Sequence, residues 1–332
     1  MADETWGKRD NRGEWVPDPL PEPSPVFSWP WKPVKVLKYL FAPVGFLWPY
    51  NLIVALLAIV SWMYFSPSLD QAANFKFDWI AQIYIRNVVL VILISGGFHL
   101  RLYMKKAQGL QYKYTDKWMA KNDKRFLFKS QTWDNIFWSL TSGCIIWTAY
   151  EALTLWLYAR KLIPFVDWNT HPIYFVLLMV AVVYLRQAHF YFVHRASHWK
   201  PIYKSSHYLH HKNINIGPWS GLSMHPLEHL IYFSGVLLHW IIPSHPIHSI
   251  FHLMHAGVTP ALGHTGFHRF VLGKNKSISG DNYFHYLHHR YFTVNFGNEA
   301  FPLDLWFGSF HDGSAETHAK MLAKRANGKL EQ

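Results

Sequence analysis

Histidines are concentrated in the C-terminal half of this 332-residue chain, at spacings that place several imidazoles on one side of a helix. Residues i, i+3 and i+4 share one face of an α-helix, so an HxxHH stretch presents three rings together and an HxxxH stretch presents two. Imidazole is a ligand suited to iron, zinc, copper and nickel. Three clusters and one looser pair carry these rings: His194 with His198; His207, His210 and His211; His285, His288 and His289; and His264 with His268.

No single cluster completes a coordination sphere, but the ten rings together could hold two metal ions. One HxxHH stretch alone could equally lie on a surface helix that faces lipid headgroups. Two copies and a preceding HxxxH stretch are harder to explain in that way, because each imidazole buried without a metal needs its own hydrogen-bond partners. The pattern therefore predicts a metal centre built from these ten histidines.

Two other kinds of metal chemistry are disfavoured by the residue types of this chain. Cys144 is its one cysteine, so an internal disulfide and a cysteine-ligated zinc or iron–sulfur site are excluded. The chain contains no Glu-x-x-His pair of the kind that binds metal in ferritin-like di-iron bundles. A shell of imidazole nitrogens is what remains.

Long apolar stretches explain why charged residues make up only 16% of the chain, against about 25% in an ordinary soluble domain. A membrane-spanning helix needs about 20 largely apolar residues. We therefore expect an all-α membrane protein with four transmembrane helices. Their stretches are 39–69, which has no charge; about 79–100, interrupted by Arg86; about 135–158, interrupted by Glu151; and about 172–194, which runs into the first histidine cluster.

Residues 229–268 form a further charge-free stretch with Pro243 and Pro246 near its middle. We interpret it as a helical hairpin that dips into the bilayer and returns on the same side. The predicted layout is a disordered, proline-rich cytosolic segment over 1–38; transmembrane helices over 39–193 with a basic cytosolic loop over 101–133; a histidine-box region over 194–313 that includes the membrane hairpin 229–263; and a basic C-terminal tail over 314–332.

Loop charges predict the orientation of the spans. Nine lysines and arginines lie between 101 and 129, whereas the other two short loops carry only Lys76, and Arg160 with Lys161. The positive-inside rule then places the N-terminus, the basic loop and everything after the fourth span in the cytosol. The histidine clusters would form a cytosolic helical cap. Because the basic residues flank apolar stretches, the net charge of +12 favours anionic lipid headgroups over nucleic acid.

Arg86 and Glu151 interrupt the second and third predicted spans. Counted from the outer ends of these antiparallel spans, both residues lie about two helical turns into the membrane. A charge at that depth costs a few kcal/mol unless it is paired. We therefore predict an intramembrane ion pair between them.

Four more histidines follow helical spacing within the predicted hairpin. They could line a substrate channel, serve as spare ligands, or be satisfied by packing and hydrogen bonds. These residues are His245, His248, His252 and His255.

From about Pro172 to Gly313, the motifs resemble the fatty acid hydroxylase and sterol desaturase superfamily of membrane di-iron enzymes. The short gap between His198 and His207 separates the chain from acyl-CoA desaturases, which place a much longer segment there. The matching motifs are HRxxH at 194–198, HxxHH at 207–211, HPxE at His225, Pro226 and Glu228, HxxxH at 264–268, HxxHH at 285–289, an aromatic at Phe292, an Asn-aromatic-Gly turn at 295–297, and a closing stretch at 304–308 with its aspartate and tryptophan in an altered order.

The resemblance implies that two ferrous ions bind O₂ and that hydrogen is taken from an unactivated carbon, giving a hydroxylated or desaturated lipid. The ten histidines would be the ligands, with no separate catalytic base, and zinc can replace iron in a preparation. The candidates for groups that support the ligands are His225, which could equally be the residue that begins a helix; Glu228; Gln187, where many relatives have an aspartate; and Asn295.

The resemblance also implies a lipid-like substrate, such as a sterol, an acyl chain or a glycerol ether. Electrons must come from an external donor, because the chain has no flavin fingerprint and no cysteine-ligated cluster. We expect a cytochrome b5-like or ferredoxin-type donor that docks on the basic loop. The expected location is a bacterial inner membrane or the endoplasmic reticulum, and the oligomeric state is left open.

Two other classes of protein remain as alternatives. A zinc-dependent membrane hydrolase could use the same imidazoles, and it would need an acidic general base, for which Glu228 is the obvious candidate. A histidine-rich metal transporter would place ionisable residues near the middle of several spans. Here the clusters follow the spans instead, which favours an enzyme with its site at the membrane surface.

Overall fold

The computed structural model describes residues 6–42, 45–274, 276–280, 282–297 and 301–327, and these residues are largely helical. Residues 1–5 of the N-terminal segment and 328–332 of the basic tail lie outside the described residues, as do 43–44, 275, 281 and 298–300 within the other predicted regions. The four strands are β1 (Gly7–Arg9), β2 (Trp15–Pro17), β3 (Arg269–Gly273) and β4 (Lys276–Ser279).

The helices differ widely in length, from single turns to 28 residues. In chain order they are α1 (Pro33–Phe41), α2 (Leu47–Tyr64), α3 (Leu69–Ala72), α4 (Phe77–Met104), α5 (Gln131–Trp138), α6 (Cys144–Ala159), α7 (Pro172–Ser197), α8 (Lys200–Ile202), α9 (Tyr208–His211), α10 (Pro226–Phe233), α11 (Pro246–Gly263), α12 (Tyr283–Tyr291), α13 (Leu303–Trp306) and α14 (Ala315–Ala326).

Within the described ranges, three helices are long and apolar enough to cross a membrane: α2, α4 and α7. They coincide with the first, second and fourth predicted spans. The third predicted span is also helical, because α5 continues through the π-helical turn Ser139–Gly143 into α6. This run is not among the three, and its serines, threonines and Glu151 make it the most polar of the four.

Helix α11 occupies the centre of the helical bundle. Thirteen of its 18 residues are buried, and it packs against α2, α6 and α7. Gly257 allows the close approach to α6, since a Cβ at this position would overlap the ring of Trp147. The predicted hairpin corresponds to α10, a 3₁₀-helix at Ser234–Trp240 and α11. Its position relative to a membrane stays a prediction.

The N-terminal segment is folded where disorder was expected. Strands β1 and β2 pair antiparallel, with Gly7 opposite Pro17. Trp15 is 1% exposed because its indole packs against the rings of Tyr112 and Tyr114. Arg9 adds hydrogen bonds to the backbone carbonyls of Leu110 and Lys113 at 2.8 and 2.9 Å, so aromatic burial and polar contacts together hold the hairpin against the rest of the chain. Proline content alone did not reveal these contacts.

The predicted ion pair between Arg86 and Glu151 is confirmed. Arg86 Nη2 donates to Glu151 Oε2 at 2.5 Å, and both side chains are almost completely buried between α4 and α6. Arg86 also donates to the side chain of its neighbour Asn87 at 2.8 Å. The pair neutralises two charges in an apolar bundle, so each residue compensates the desolvation of the other.

Glu151→Gln is expected to destabilise the protein, because it leaves the Arg86 guanidinium buried without a counter-charge. Breaking a buried pair from one side costs about 3–5 kcal/mol. Thermal unfolding of the detergent-solubilised protein measures the effect. The double variant Arg86→Met, Glu151→Leu should recover most of the loss, and Arg160→Gln, at an exposed position, is the control. Equal melting temperatures for Glu151→Gln and the wild-type protein would contradict the role of the pair.

Candidate metal centre

The histidines lie at the C-terminal ends of two helices, in one π-helical turn and in two short helices. His194 and His198 close α7, one helical turn apart, and the second cluster follows in the π-helical turn Tyr203–His207 and in α9. His264 caps the C-terminus of α11. The last cluster lies on α12. Helix ends meet here because α7 and α11 pack side by side, which brings their C-terminal residues to one place.

Nine imidazoles form two groups in which the nitrogen atoms of each group lie within 4.8 Å of one another. The groups are neighbours, since the ring centroids of His211 and His289, one from each group, are 4.7 Å apart. The first histidine group contains His194, His198, His207, His211 and His288, and the second histidine group contains His210, His264, His285 and His289.

Each HxxHH cluster divides its rings between the two groups. At 100° per residue, positions i and i+4 of a helix differ by about 40°, whereas i+3 lies about 100° from i+4. One cluster can therefore serve two adjacent metal positions. His207 and His211 belong to the first group and His210 to the second, while His285 and His289 belong to the second group and His288 to the first.

The Nε2 atoms converge more closely than hydrogen bonding alone explains. His264 Nε2 lies 3.0 Å from the Nε2 atoms of both His285 and His289. In the first group, His198 Nε2 lies 3.0 Å from His207 Nε2 and 3.2 Å from the equivalent atom of His288. One imidazole nitrogen carries at most one proton, so it cannot donate to two acceptors at these distances in good geometry.

Five of the rings have their Nδ1 atoms anchored, which determines the tautomer. A carbonyl or carboxylate oxygen can only accept, so Nδ1 carries the proton and the Nε2 lone pair is free. The anchors are Phe296 O for His194 at 2.6 Å, Val294 O for His288 at 2.6 Å, Pro260 O for His264 at 2.8 Å, Ser223 O for His210 at 3.3 Å, and Glu228 Oε1 for His207 at 2.6 Å.

Lone pairs that face one another at about 3 Å repel unless a cation lies between them. Histidine ligands of metals commonly coordinate through Nε2 while their Nδ1 proton is hydrogen-bonded to an oxygen, which is the arrangement seen here. The donor set therefore fits two metal ions, one in each histidine group, and its chemistry suits a borderline divalent ion such as iron or zinc.

Burial keeps the imidazoles neutral. It lowers the pKa of His207 to about 3 and that of His210 to about 4. Burial, followed by the neighbouring imidazoles, also holds the pKa values of His211, His285 and His289 well below their ordinary range. A neutral ring is the form that binds metal, so little proton release is required on binding near neutral pH.

Glu228 contacts a member of the first histidine group directly. Its Oε1 accepts the Nδ1 proton of His207, and burial raises the pKa of Glu228 to about 7. Its Oε2 has no hydrogen-bond partner among the described residues. This side chain orients the His207 ring, which is the part that carboxylates commonly play next to a metal-bound histidine.

The other three proposed support residues have different surroundings. His225 caps α10, because its Nδ1 accepts from the backbone of Leu227 at 3.2 Å. Asn295 adopts a left-handed backbone conformation with φ 52°, and its side chain bonds the backbone of Phe284 and His311. Gln187 lines the cavity described below.

His268 lies in neither group, although it was predicted as a ligand with His264. Its Nδ1 is 3.3 Å from the Tyr114 hydroxyl, and its ring centroid is 5.0 Å from that of Trp15. The HxxxH spacing does not bring the two rings together because α11 ends at Gly263, and the chain turns before His268. The His268 ring packs instead against Trp15 of the N-terminal hairpin.

Asp304 supports the centre from outside the histidine clusters. Its carboxylate accepts from the backbone N–H groups of Phe296 and Gly297 at 2.8 and 2.7 Å. These bonds hold the Phe296 carbonyl that anchors His194. The closing motif of the sequence contained Asp304 but suggested no role for it, and backbone carbonyls leave no signal in a sequence at all.

A cavity of about 420 Å³ opens beside the two histidine groups. This volume is within the range of small-molecule sites, about 300–1,000 Å³. The cavity extends from the histidines between α2, α7 and α11, and residues 21–25 of the N-terminal segment form part of its wall. His194, His207, His210, His264 and His285 line the end next to the metal centre.

Comparisons with known proteins agree with the location of this centre. The fatty acid hydroxylase family model matches residues 178–309. The Delta(7)-sterol 5(6)-desaturase of Candida glabrata is 28% identical over 177 residues, covering 50% of this chain and 47% of the relative. The Delta(7)-sterol-C5(6)-desaturase of Nicotiana tabacum is 29% identical over 160 residues, covering 47% of this chain and 56% of the relative.

The Delta(7)-sterol 5(6)-desaturase ERG3 of Saccharomyces cerevisiae is 24% identical over 152 residues, which is 45% of this chain and 40% of the relative. The chain thus spans about half the length of the curated relatives that it matches. No solved structure matches the chain.

His264→Gln is expected to lose the metal of the second histidine group, because His264 Nε2 lies at the centre of that group. His268→Gln should keep the full metal content, since its ring lies outside both groups. Iron and zinc per chain, measured together by plasma mass spectrometry, distinguish the two variants. Equal loss of metal in both would show that His268 is a ligand after all, as the sequence predicted.

Proposed function

We propose that this chain, whose residues 178–309 match the fatty acid hydroxylase family model, is a membrane di-iron oxygenase of the fatty acid hydroxylase and sterol desaturase superfamily that uses O₂ to hydroxylate or desaturate a lipid. The observation that carries the proposal is the convergence of nine neutral imidazoles in two adjacent groups beside a cavity. Three helices long enough to cross a membrane support a substrate drawn from the bilayer.

In this proposal each histidine group holds one iron ion. The ions, when bound, supply the activation of O₂ and the oxidation of an unactivated C–H bond. Among the chain's own residues, the carbonyls of Val294, Phe296 and Pro260 keep three rings in the metal-binding tautomer. Glu228 does the same for His207. None of these groups moves a proton to or from the substrate, so they act by positioning.

The substrate proposed is a lipid whose reacting carbon lies at the histidine end of the cavity. The relatives are named sterol desaturases, which makes a sterol one candidate, and an acyl chain is another. Hydroxylation and desaturation differ in whether oxygen is transferred or a second hydrogen is removed, and product analysis separates them. The protein would be integral to a membrane, either that of a bacterium or that of the endoplasmic reticulum, with its site facing the cytosol.

The electron donor is proposed to be an external cytochrome b5-like or ferredoxin-type protein. Eight of the nine cationic residues between 101 and 129 are exposed and form a basic face, and a basic face attracts acidic partners. The ninth, Lys113, is completely buried and belongs to the core of the loop. Its Nζ donates to the carbonyl of Lys117 at 2.7 Å.

The alternative functions find less support. A zinc hydrolase would usually add a carboxylate ligand to the imidazoles, yet both histidine groups found among the described residues contain histidines alone, and Glu228 contacts Nδ1 of His207 instead. A transporter would need ligands along the length of several spans. The nine grouped histidines instead lie at the C-terminal ends of α7 and α11, in the turn Tyr203–His207, or in the short helices α9 and α12.

Anaerobic reconstitution with ferrous iron, followed by O₂ and a chemical reductant, tests the reaction. We expect oxygen consumption and an oxidised lipid, detected by mass spectrometry over sterol and acyl substrates in lipid nanodiscs. Protein loaded with zinc should be inactive, because zinc has no redox chemistry. His211→Gln is the matched protein control. Lipid hydrolysis products without oxygen consumption would contradict the proposal.

Charge reversal on the basic face tests the donor. The triple variant Lys105→Glu, Lys106→Glu, Lys117→Glu should slow reduction by the donor protein by about tenfold or more at low salt and flatten its salt dependence. Lys161→Glu, in the loop between α6 and α7, is the control. Reduction by a small chemical reductant should be unaffected in all variants. An unchanged salt dependence in the triple variant would exclude this face as the docking site.

A further inference from the structure

Two arginines are buried within candidate membrane helices, but only one of them forms an ion pair with a described carboxylate. Arg86 on α4 is neutralised by Glu151. Arg186 on α7 is 7% exposed, and no described carboxylate forms an ion pair with it. Its Nη2 donates instead to the Tyr232 hydroxyl at 2.9 Å. A buried charge without a counter-ion is costly, so the site calls for an anion.

Arg186 faces the cavity, and its neighbours in the wall are polar. Gln187 is 6% exposed, and its Oε1 has no hydrogen-bond partner among the described residues. The Tyr50 hydroxyl, from α2, is likewise buried without a described partner. Arg186, Gln187 and Tyr50 all line the cavity. An anion there could accept from the Arg186 guanidinium, the Tyr50 hydroxyl and the Nε2 group of Gln187, whereas Gln187 Oε1 can only accept.

Neither of the two carboxylates that line the cavity forms an ion pair with Arg186. Glu228 accepts from His207 at 2.6 Å, and Glu22 pairs with Lys35 at 3.0 Å. The Tyr232 hydroxyl does not relay the Arg186 charge to either of them, because it donates to the backbone oxygen of Ala256. Among the described residues, the Arg186 guanidinium in the cavity wall therefore has no carboxylate partner within ion-pair distance.

We propose that Arg186, with Tyr50 and Gln187, binds the anionic head of the lipid substrate, a carboxylate or a sulfate. Guanidinium binds such oxyanions through paired hydrogen bonds. This inference rests on the proposed function, because it assigns a chemical class to the substrate of that same site. It adds that the substrate is an acidic lipid rather than a neutral alcohol.

One face of α7 relates the anion subsite to the metal centre. Val183, Arg186, Gln187, Phe190 and His194 all line the cavity, at spacings of three, one, three and four residues. Arg186 precedes His194 by eight residues, which is about 12 Å along the helix axis. If the anionic group of the substrate is bound at Arg186, the substrate carbon that reaches the histidines lies at a set distance from that anionic group.

Equilibrium binding of paired lipids tests the subsite. Purified full-length protein in nanodiscs is titrated with oleate and with oleyl alcohol, which differ only in the head. Cholesterol sulfate and cholesterol form the second pair. The wild-type protein should bind the anion of at least one pair about tenfold more tightly than the alcohol, the gain expected from charge-assisted hydrogen bonds. The pair that shows the preference identifies whether the anion sits on an acyl chain or on a sterol.

Arg186→Gln should abolish that preference while leaving alcohol binding intact, and Arg186→Lys should keep part of it. Tyr50→Phe removes a hydroxyl that has no described partner, so it should weaken anion binding severalfold without disturbing the fold. Arg160→Gln, outside the cavity, is the matched control. Equal affinity for acid and alcohol in the wild-type protein, or a preference that survives Arg186→Gln, would overturn the inference.

Failure of the inference is distinguishable from failure of the proposed function. The binding measurement requires no turnover, so an anion preference can persist in a protein that shows no iron-dependent oxidation. Conversely, oxidation of a neutral lipid with no anion preference would leave the oxygenase reaction in place and remove only Arg186 from its substrate site.

Discussion

Repulsion between imidazole lone pairs is the constraint on which the site depends. His210 and His264 both have anchored Nδ1 protons, and their Nε2 lone pairs face each other at 3.4 Å in a buried setting, an arrangement that positive charge between them would stabilise. Hydrogen bonds from the Nδ1 protons to backbone carbonyls and to Glu228 leave the Nε2 lone pairs free to bind a cation. The centre is thus built in two layers, in which the outer oxygens decide where the inner nitrogens point.

The surrounding bundle follows from the need to bury this polar assembly next to a membrane. Helix α11 is almost completely enclosed, and it delivers His264 to the centre while separating the cavity from α6. Charges in the bundle are neutralised where they have no part in binding, as with Arg86 and Glu151. Against that background, the unneutralised Arg186 in the cavity wall indicates a functional rather than a structural charge.

Several features of the protein could be predicted from the residue pattern, because they depend on helical periodicity or on the depth of a residue within a predicted membrane span. Helical spacing identified the histidine clusters, and apolar length identified α2, α4 and α7. The ion pair of Arg86 and Glu151 followed from their similar depth in antiparallel spans. The folded hairpin around Trp15 could not be predicted in this way, since its stability comes from aromatic rings about 100 residues further along the chain.

By itself, the sequence determined the residue types of the centre: an all-imidazole donor set, on helices, next to spans. Only the tertiary structure decided how the rings divide into two groups, why His268 lies outside both groups, and which oxygens anchor the grouped rings. The physical reason is that helical periodicity is a property of neighbouring residues, whereas the direction of an imidazole depends on contacts between distant segments. Backbone carbonyls such as Phe296 O act irrespective of side chain, so no residue pattern could reveal them.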